Sequence, residues 1–395
     1  MIELTPEQRE IQAWARDFAR RHVAPRALAL DKDPESPLRD ELLREAARAG
    51  ILGASLPEVL GGAGHDALTS VIATEELAAA CAGCAVLFGA TMLGLTPVLF
   101  SGDPAAIARF LPPLVQSWQT DRPRLAALAA TEPGAGSDFI TGHAEGRLRT
   151  RVERSGDGYL INGRKIFISN GSLASLVTVF ATHDPSAPIR ESVSCFAVPA
   201  DTPGFSVGQV FDKMGQRAAP AAELLFDDVW VPEDHRLGPE GSGWALNRLI
   251  MSVTRTPVAA IALGIARAAY ERALEYAEAR VQGGRPIVHH QAMALMLADM
   301  AIRVEAARGL VWRAAAAVAG GQPSLKLSSM AKTFASDAAV ANALDAIQVL
   351  GGYGYMHESG VEKLLRDAKL TQIYEGTNQV NRFEIMEAVA AERAV

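Results

Sequence analysis

Cysteine is scarce in this sequence: Cys81, Cys84 and Cys195 are three among 395 residues. Three thiols cannot build a disulfide framework. Cys81-Ala82-Gly83-Cys84 is a lone CxxC with no second pair to complete a zinc site and no strand–helix redox context, so it reads as buried small residues. Charge of one sign is also lacking. Lys and Arg number 38 against 45 Asp and Glu, and the net charge of −7 argues against nucleic acid or an anionic membrane as partner. The chain is read as having no uncharged apolar run of about 18 residues, which predicts no membrane-spanning helix. Met1-Ile2-Glu3-Leu4-Thr5-Pro6-Glu7 has neither a basic nor an apolar segment, so no signal peptide is expected. Internal repeats and low-complexity segments are absent. A reduced, cytoplasmic protein is the expectation. Half the residues are apolar, ample for a large core, and the length suggests two or three domains.

Residues 1–123 read as one helical domain. Thr5-Pro6-Glu7-Gln8 is an N-cap with proline at the first helical position, followed by Ile11, Trp14 and Phe18 on one face. Further helices are expected over 40–49, 69–80 and 85–100, and a short one opening at Arg109-Phe110-Leu111-Pro112-Pro113. Residues 124–236 change period and read as a small antiparallel barrel or sandwich. Strands are expected over 147–153, 176–181, 193–198 and 223–226. Residues 159–168 read as two strands joined by Asn162-Gly163, the strongest short-range hairpin signal. Helical spacing returns over 237–395. Met293, Leu297, Met300, Val304, Ala307, Val311, Ala314 and Val318 form an a/d seam, which predicts a four-helix bundle. Another helix is expected over 325–350, stopping at Gly351-Gly352.

Four segments carry candidate chemistry. Thr131-Glu132-Pro133-Gly134-Ala135-Gly136-Ser137-Asp138 is a polar, glycine-rich loop whose backbone N–H groups and hydroxyls suit a ligand. Lys165-Ile166-Phe167-Ile168-Ser169-Asn170-Gly171 places one aromatic ring in a strand, where it serves a ligand or the barrel core. Arg280 ends a helix before Gln282-Gly283-Gly284-Arg285-Pro286, as a phosphate-binding fork or a solvated helix-end arginine. Gln372-Ile373-Tyr374-Glu375-Gly376-Thr377-Asn378-Gln379 holds one carboxylate between apolar residues and glycine, a base or a plain helix start.

Together these segments resemble the acyl-CoA dehydrogenase family over essentially the whole chain. The resemblance implies a helical domain, a small β-barrel and a four-helix bundle. It implies FAD, electron transfer to an electron-transfer flavoprotein and a homo-oligomer, with a tetramer favoured. By resemblance Glu375 is the α-proton base with Arg255 beside it, Arg255 lying at a helix start. Thr131, Phe167 and Ser169 meet the flavin ring; Ser137, Tyr374 and Gly376 meet the substrate. Arg280, Gln348, Gly352, Thr377 and Gln379 serve the dinucleotide, with Arg280, Gln348 and Gly352 on a neighbouring subunit's FAD. No metal is implied. Two departures stand out: Ala279 and Gly283 replace an acid and an aromatic beside Arg280, and Ser252 replaces an aspartate that bonds pantetheine. The alternatives are the same reaction on an acyl group borne by an acyl carrier protein, and a flavin-free binding protein retaining the fold.

Overall fold

The computed structural model describes residues 3–393. Its first helix runs Pro6–Phe18 and opens on a reciprocal cap. Gln8 N–H donates to Thr5 Oγ1 and Thr5 N–H to Gln8 Oε1, each at 3.1 Å, which satisfies two otherwise orphaned donors. Helices Pro37–Arg48, Ala67–Ala80, Ala82–Phe100 and Pro104–Ser117 follow. The last begins at Pro104 under the Asp103 cap, not at Arg109, so Pro112 and Pro113 lie inside it.

The apolar helix Ala82–Phe100 overturns one expectation. Its 19 residues carry no charge, and both it and Gly243–Ala279 are long and apolar enough to cross a membrane. Of the most apolar 18-residue window, 72% and 83% respectively is buried inside the protein. Helices that are apolar all round and enclosed by protein are core helices.

Eight strands form one sheet in the order β6-β7-β3-β2-β4-β5-β8, with β1 beside β4. They are β1 (Leu125–Ala129), β2 (Arg151–Ser155), β3 (Gly158–Ser169), β4 (Ala174–Thr182), β5 (Val193–Pro199), β6 (Phe205–Val210), β7 (Ala221–Pro232) and β8 (Arg236–Leu237). Pairing is antiparallel except that β1 and β2 lie parallel to β4. The expected hairpin at Asn162-Gly163 is instead a bulge within the single strand β3. Gly163 has φ +145°, and a Cβ there would stand 2.6 Å from the Thr150 backbone. Asn162 spends its amide on Asp228 across the sheet, donating to Asp228 Oδ1 and accepting from its N–H, both at 2.9 Å. Asn-Gly here marks a close approach of backbones rather than a turn.

The C-terminal part comprises helices Gly243–Ala279, Gln291–Ala319, Leu325–Leu350, Val361–Thr371 and Asn378–Arg393. The seam behaves as its spacing predicts: Leu297, Met300, Val304, Ala307, Val311 and Ala314 are buried. Arg255 is not at a helix start but inside the 37-residue helix Gly243–Ala279. Pro257 lies inside the same helix without ending it. It has no N–H for the carbonyl of Val253, and Thr256 Oγ1 donates to that carbonyl instead at 2.8 Å. The same device recurs at Pro97, where Thr96 Oγ1 donates to the Leu93 carbonyl at 2.6 Å.

One contact ties the sheet to the helices and another ties β3 to the loop after β1. The helix Ala82–Phe100 crosses β1 so closely at Gly94 that a Cβ would stand 2.5 Å from the Ala127 nitrogen. Lys165 of β3 is fully buried and its Nζ donates to Glu132 Oε1 at 2.8 Å and to the Ala130 carbonyl at 3.1 Å. Glu132 also accepts from the N–H groups of Arg149 and Thr150. Burial alone would raise this carboxyl, but Lys165 and those donors together hold it below the usual carboxylate range. Lys165→Met strands a buried carboxylate and is expected to cost about 3 kcal/mol. A urea midpoint unchanged from wild type would refute that.

Candidate active site

A cavity of about 1270 Å³ opens between the sheet and the two sets of helices. Thr131 brings the end of β1 to its wall, Ser137 the start of the short helix Ser137–Thr141, and Phe167 and Ser169 the end of β3. Tyr374, Glu375, Gly376 and Thr377 reach it from the loop between the last two helices. The two sequence segments are joined directly, since the Ile166 N–H donates to the Thr131 carbonyl at 2.9 Å.

Simple strand alternation does not orient Phe167. It sits at a second break in the β3–β7 register, between Lys165 and Ile168, with φ +58°. The ring packs on Phe211 at 4.8 Å between centroids yet remains 59% exposed, so one aromatic surface stays open in the cavity wall. Glu375 is likewise left-handed, at φ +49°, followed by Gly376 at +89°. Such backbone costs on the order of 1–3 kcal/mol for a residue with a side chain and concentrates where function requires it.

The remaining expected residues separate. Arg280 and Gly352 line a second cavity of about 460 Å³ with Tyr276, Gln282 and Tyr353. Gln348 and Gln379 are exposed, and neither is among the lining residues of the two cavities. Arg255 lies fully buried behind Glu375 rather than in the cavity wall. Its Nε donates to the Glu375 backbone carbonyl at 2.9 Å, and its Nη1 to Ser329 Oγ at 2.8 Å and to Glu384.

Sequence reasoning missed three partners. Glu384 neutralises Arg255 from the last helix and also pairs with Arg248 at 3.0 Å. Thr254 Oγ1 stands 3.0 Å from Glu375 Oε2 and 3.1 Å from the Ile250 carbonyl. Its single proton serves one of them at a time. The carboxylate takes that proton; a protonated Glu375 donates to Thr254, which then turns to Ile250. Lys332, fully buried, donates from Nζ to the Gly376 carbonyl at 2.7 Å and to Asn378 Oδ1 at 3.0 Å. Nothing in the spacing marks these contacts, which join elements far apart in the chain.

Burial dominates the Glu375 carboxyl and raises its pKa above the ordinary 4.5, against the lowering effects of Thr254, Arg255 and Lys332. The nearby cations therefore moderate the desolvation without cancelling it. A carboxyl raised in this way, set in an apolar cavity with its second oxygen tethered, is suited to receive a proton.

Three family profiles match in order: the acyl-CoA dehydrogenase N-terminal domain over residues 5–117, the middle domain over 127–229 and the C-terminal domain over 241–390. An acyl-CoA dehydrogenase of Bacillus subtilis is 43% identical over 97% of this chain and 98% of its own. Butyryl-CoA dehydrogenase from Megasphaera elsdenii superposes with TM-score 0.90 at 38% identity, over 99% of this chain and all of that one. A chain in a structure described as the electron transferring flavoprotein of Acidaminococcus fermentans superposes with TM-score 0.91 at 37% identity, over 98% and 99%. The fold, the cavity between sheet and helices and these full-length matches have one reading: the chain belongs to the acyl-CoA dehydrogenase family, FAD-dependent oxidoreductases acting on acyl-CoA.

Proposed function

We propose that this chain converts a saturated acyl-CoA to the trans-2-enoyl-CoA, with Glu375 as the base that removes the α proton. The observation that carries this is the placing of Glu375 in the cavity it shares with Thr131, Phe167 and Ser169, its second oxygen tethered to Thr254. The cavity suits the cofactor: an open aromatic face at Phe167 and hydroxyl residues at Thr131 and Ser169. Bound FAD supplies the hydride acceptor for the β hydrogen, a role that no protein side chain fills.

The chain's own residues do the rest. Glu375 accepts the α proton. The thioester oxygen needs donors where enolate charge develops, and we assign the backbone N–H of Glu375, turned by its positive φ, to that oxygen. Ser137, Tyr374 and Gly376 hold the acyl thioester beside the base. Arg280 and Gly352 serve the FAD of a neighbouring subunit, at the second cavity apart from the main one. Electrons leave to an electron-transfer flavoprotein. We assign a cytoplasmic homotetramer.

Anaerobic bleaching of the flavin band by a panel of acyl-CoAs of graded length and branching tests the substrate. Bleaching by at least one CoA thioester is expected. Bleaching only by the same acyl groups on an acyl carrier protein would overturn the CoA assignment.

A further inference from the structure

Among the described residues Lys332 has no carboxylate in direct contact; its ammonium meets only neutral oxygens. It lies within the helix Leu325–Leu350, is fully buried, and aims its ammonium at the loop that carries the base. The Gly376 carbonyl that it holds at 2.7 Å also accepts from Asn381 Nδ2 at 2.8 Å. Asn378, its second acceptor, is fixed in turn by Ser336 and by Asp337, whose Oδ1 accepts from Asn378 Nδ2 at 2.7 Å. The loop Glu375–Asn378 is therefore pinned from beneath by a cation, one residue past the left-handed Glu375.

We propose that Lys332 is a positioning residue for Glu375: its buried ammonium fixes the left-handed turn at Glu375–Gly376, and its charge favours the carboxylate over the carboxylic acid. This rests on the reading of Glu375 as the base. An amide dipole would be enough to hold the loop, since both acceptors are neutral oxygens. A buried cation is costly where its only contacts are neutral, and what the charge adds is an attraction to the nearby carboxylate.

The charged groups around Lys332 are few. From its own helix comes Asp337, from the helix Gly243–Ala279 Arg255, from the loop Glu375 itself, and from the last helix Arg382. Asp337 is bound by Arg382 at 2.7 Å, and Arg255 by Glu384, so each of those pairs is close to neutral. Among the described residues Glu375 is left as the nearby carboxylate without a salt-bridge partner of its own. Burial, with Arg255 adding to it, lowers Lys332 to about 7, against the opposing pull of Glu375 and Asp337. Below that value the ammonium is present and favours ionised Glu375, and Glu375 is itself raised above 4.5 by burial. Removing the charge thus raises Glu375 further, and the acid limb of proton removal moves to higher pH.

The test uses Lys332→Met, Lys332→Gln and Lys332→Arg in the flavin-loaded enzyme, with Glu375→Gln as the reference. Two readouts are taken. One is the pH profile of substrate α-proton exchange in D2O. The other is the infrared carboxylic-acid band that Glu375→Gln removes, titrated without substrate. Met and Gln are expected to shift both midpoints upward by about one pH unit, while Arg stays near wild type. Glutamine keeps a donor without the charge, so a wild-type midpoint in Lys332→Gln would overturn the electrostatic role, as would an unshifted midpoint in Lys332→Met. Gln also preserves a test if Met fails to fold. Exchange that persists in Glu375→Gln would instead remove the base assignment itself, a separate result from failure at Lys332.

Discussion

Glu375→Gln is expected to lower the rate of flavin bleaching by acyl-CoA by roughly 10⁴-fold, the upper part of the range for a positioned base. Glutamine keeps the shape and the hydrogen bond to Thr254 Oγ1, but it cannot accept the proton. Because the change is isosteric and sits at the cavity wall, flavin content and unfolding midpoint should stay at wild-type values. The wild-type profile should fall on the acid side, with its midpoint above the 4.5 of an ordinary glutamate because burial raises Glu375. As pH drops through that midpoint the carboxyl is protonated and the base is lost. Bleaching at a wild-type rate in the variant would end the assignment.

Arg255→Ala should give the largest loss of stability, about 3–5 kcal/mol. The guanidinium is fully buried and joins three elements: the Glu375 carbonyl in the loop, Ser329 on the helix Leu325–Leu350, and Glu384 on the last helix. Alanine leaves Glu384 buried with only Arg248, itself part-exposed, and frees the carbonyl that fixes Glu375. Arg255→Lys should fail as well, because an ammonium cannot present a planar fork to three acceptors. The double variant Arg255→Met/Glu384→Leu should recover part of the stability, since no fully buried charge is then stranded and Arg248, which loses Glu384, is part-exposed. Chemical denaturation followed by circular dichroism measures all three. A double variant no more stable than Arg255→Ala would show that the cost is lost packing, not an unpaired charge.

What local pattern dictates was legible. The seam from Leu297 to Ala314 and the helix Leu325–Leu350 came directly from spacing and from the glycines that stop them. Thr5 and Gln8 announced their own cap. Eight of the thirteen residues expected at the site line one cavity, and the other five do not. Errors arose where a local signal was answered from a distance. Asn162-Gly163 has the chemistry of a turn, but Asp228, 66 residues on, takes the asparagine side chain and holds β3 straight through a bulge. Arg255 is expected at a helix start, but the helix runs through it and through Pro257, where the Thr256 hydroxyl replaces the missing backbone donor.

The sequence by itself determined the family, the helical period of both ends, the change to strands between them and the identity of the acid at 375. Those features are written in neighbouring residues, in propensity, spacing and turn chemistry. Only the tertiary structure decided that Thr254 tethers that acid, that Arg255 holds its backbone, and that Lys332 stands beneath it. Lys332 is 43 residues from Glu375 along the chain, and no periodicity records such a pairing. Burial, which sets the proton affinity of both groups, is a property of the packed core and comes into being only when the helices close around them.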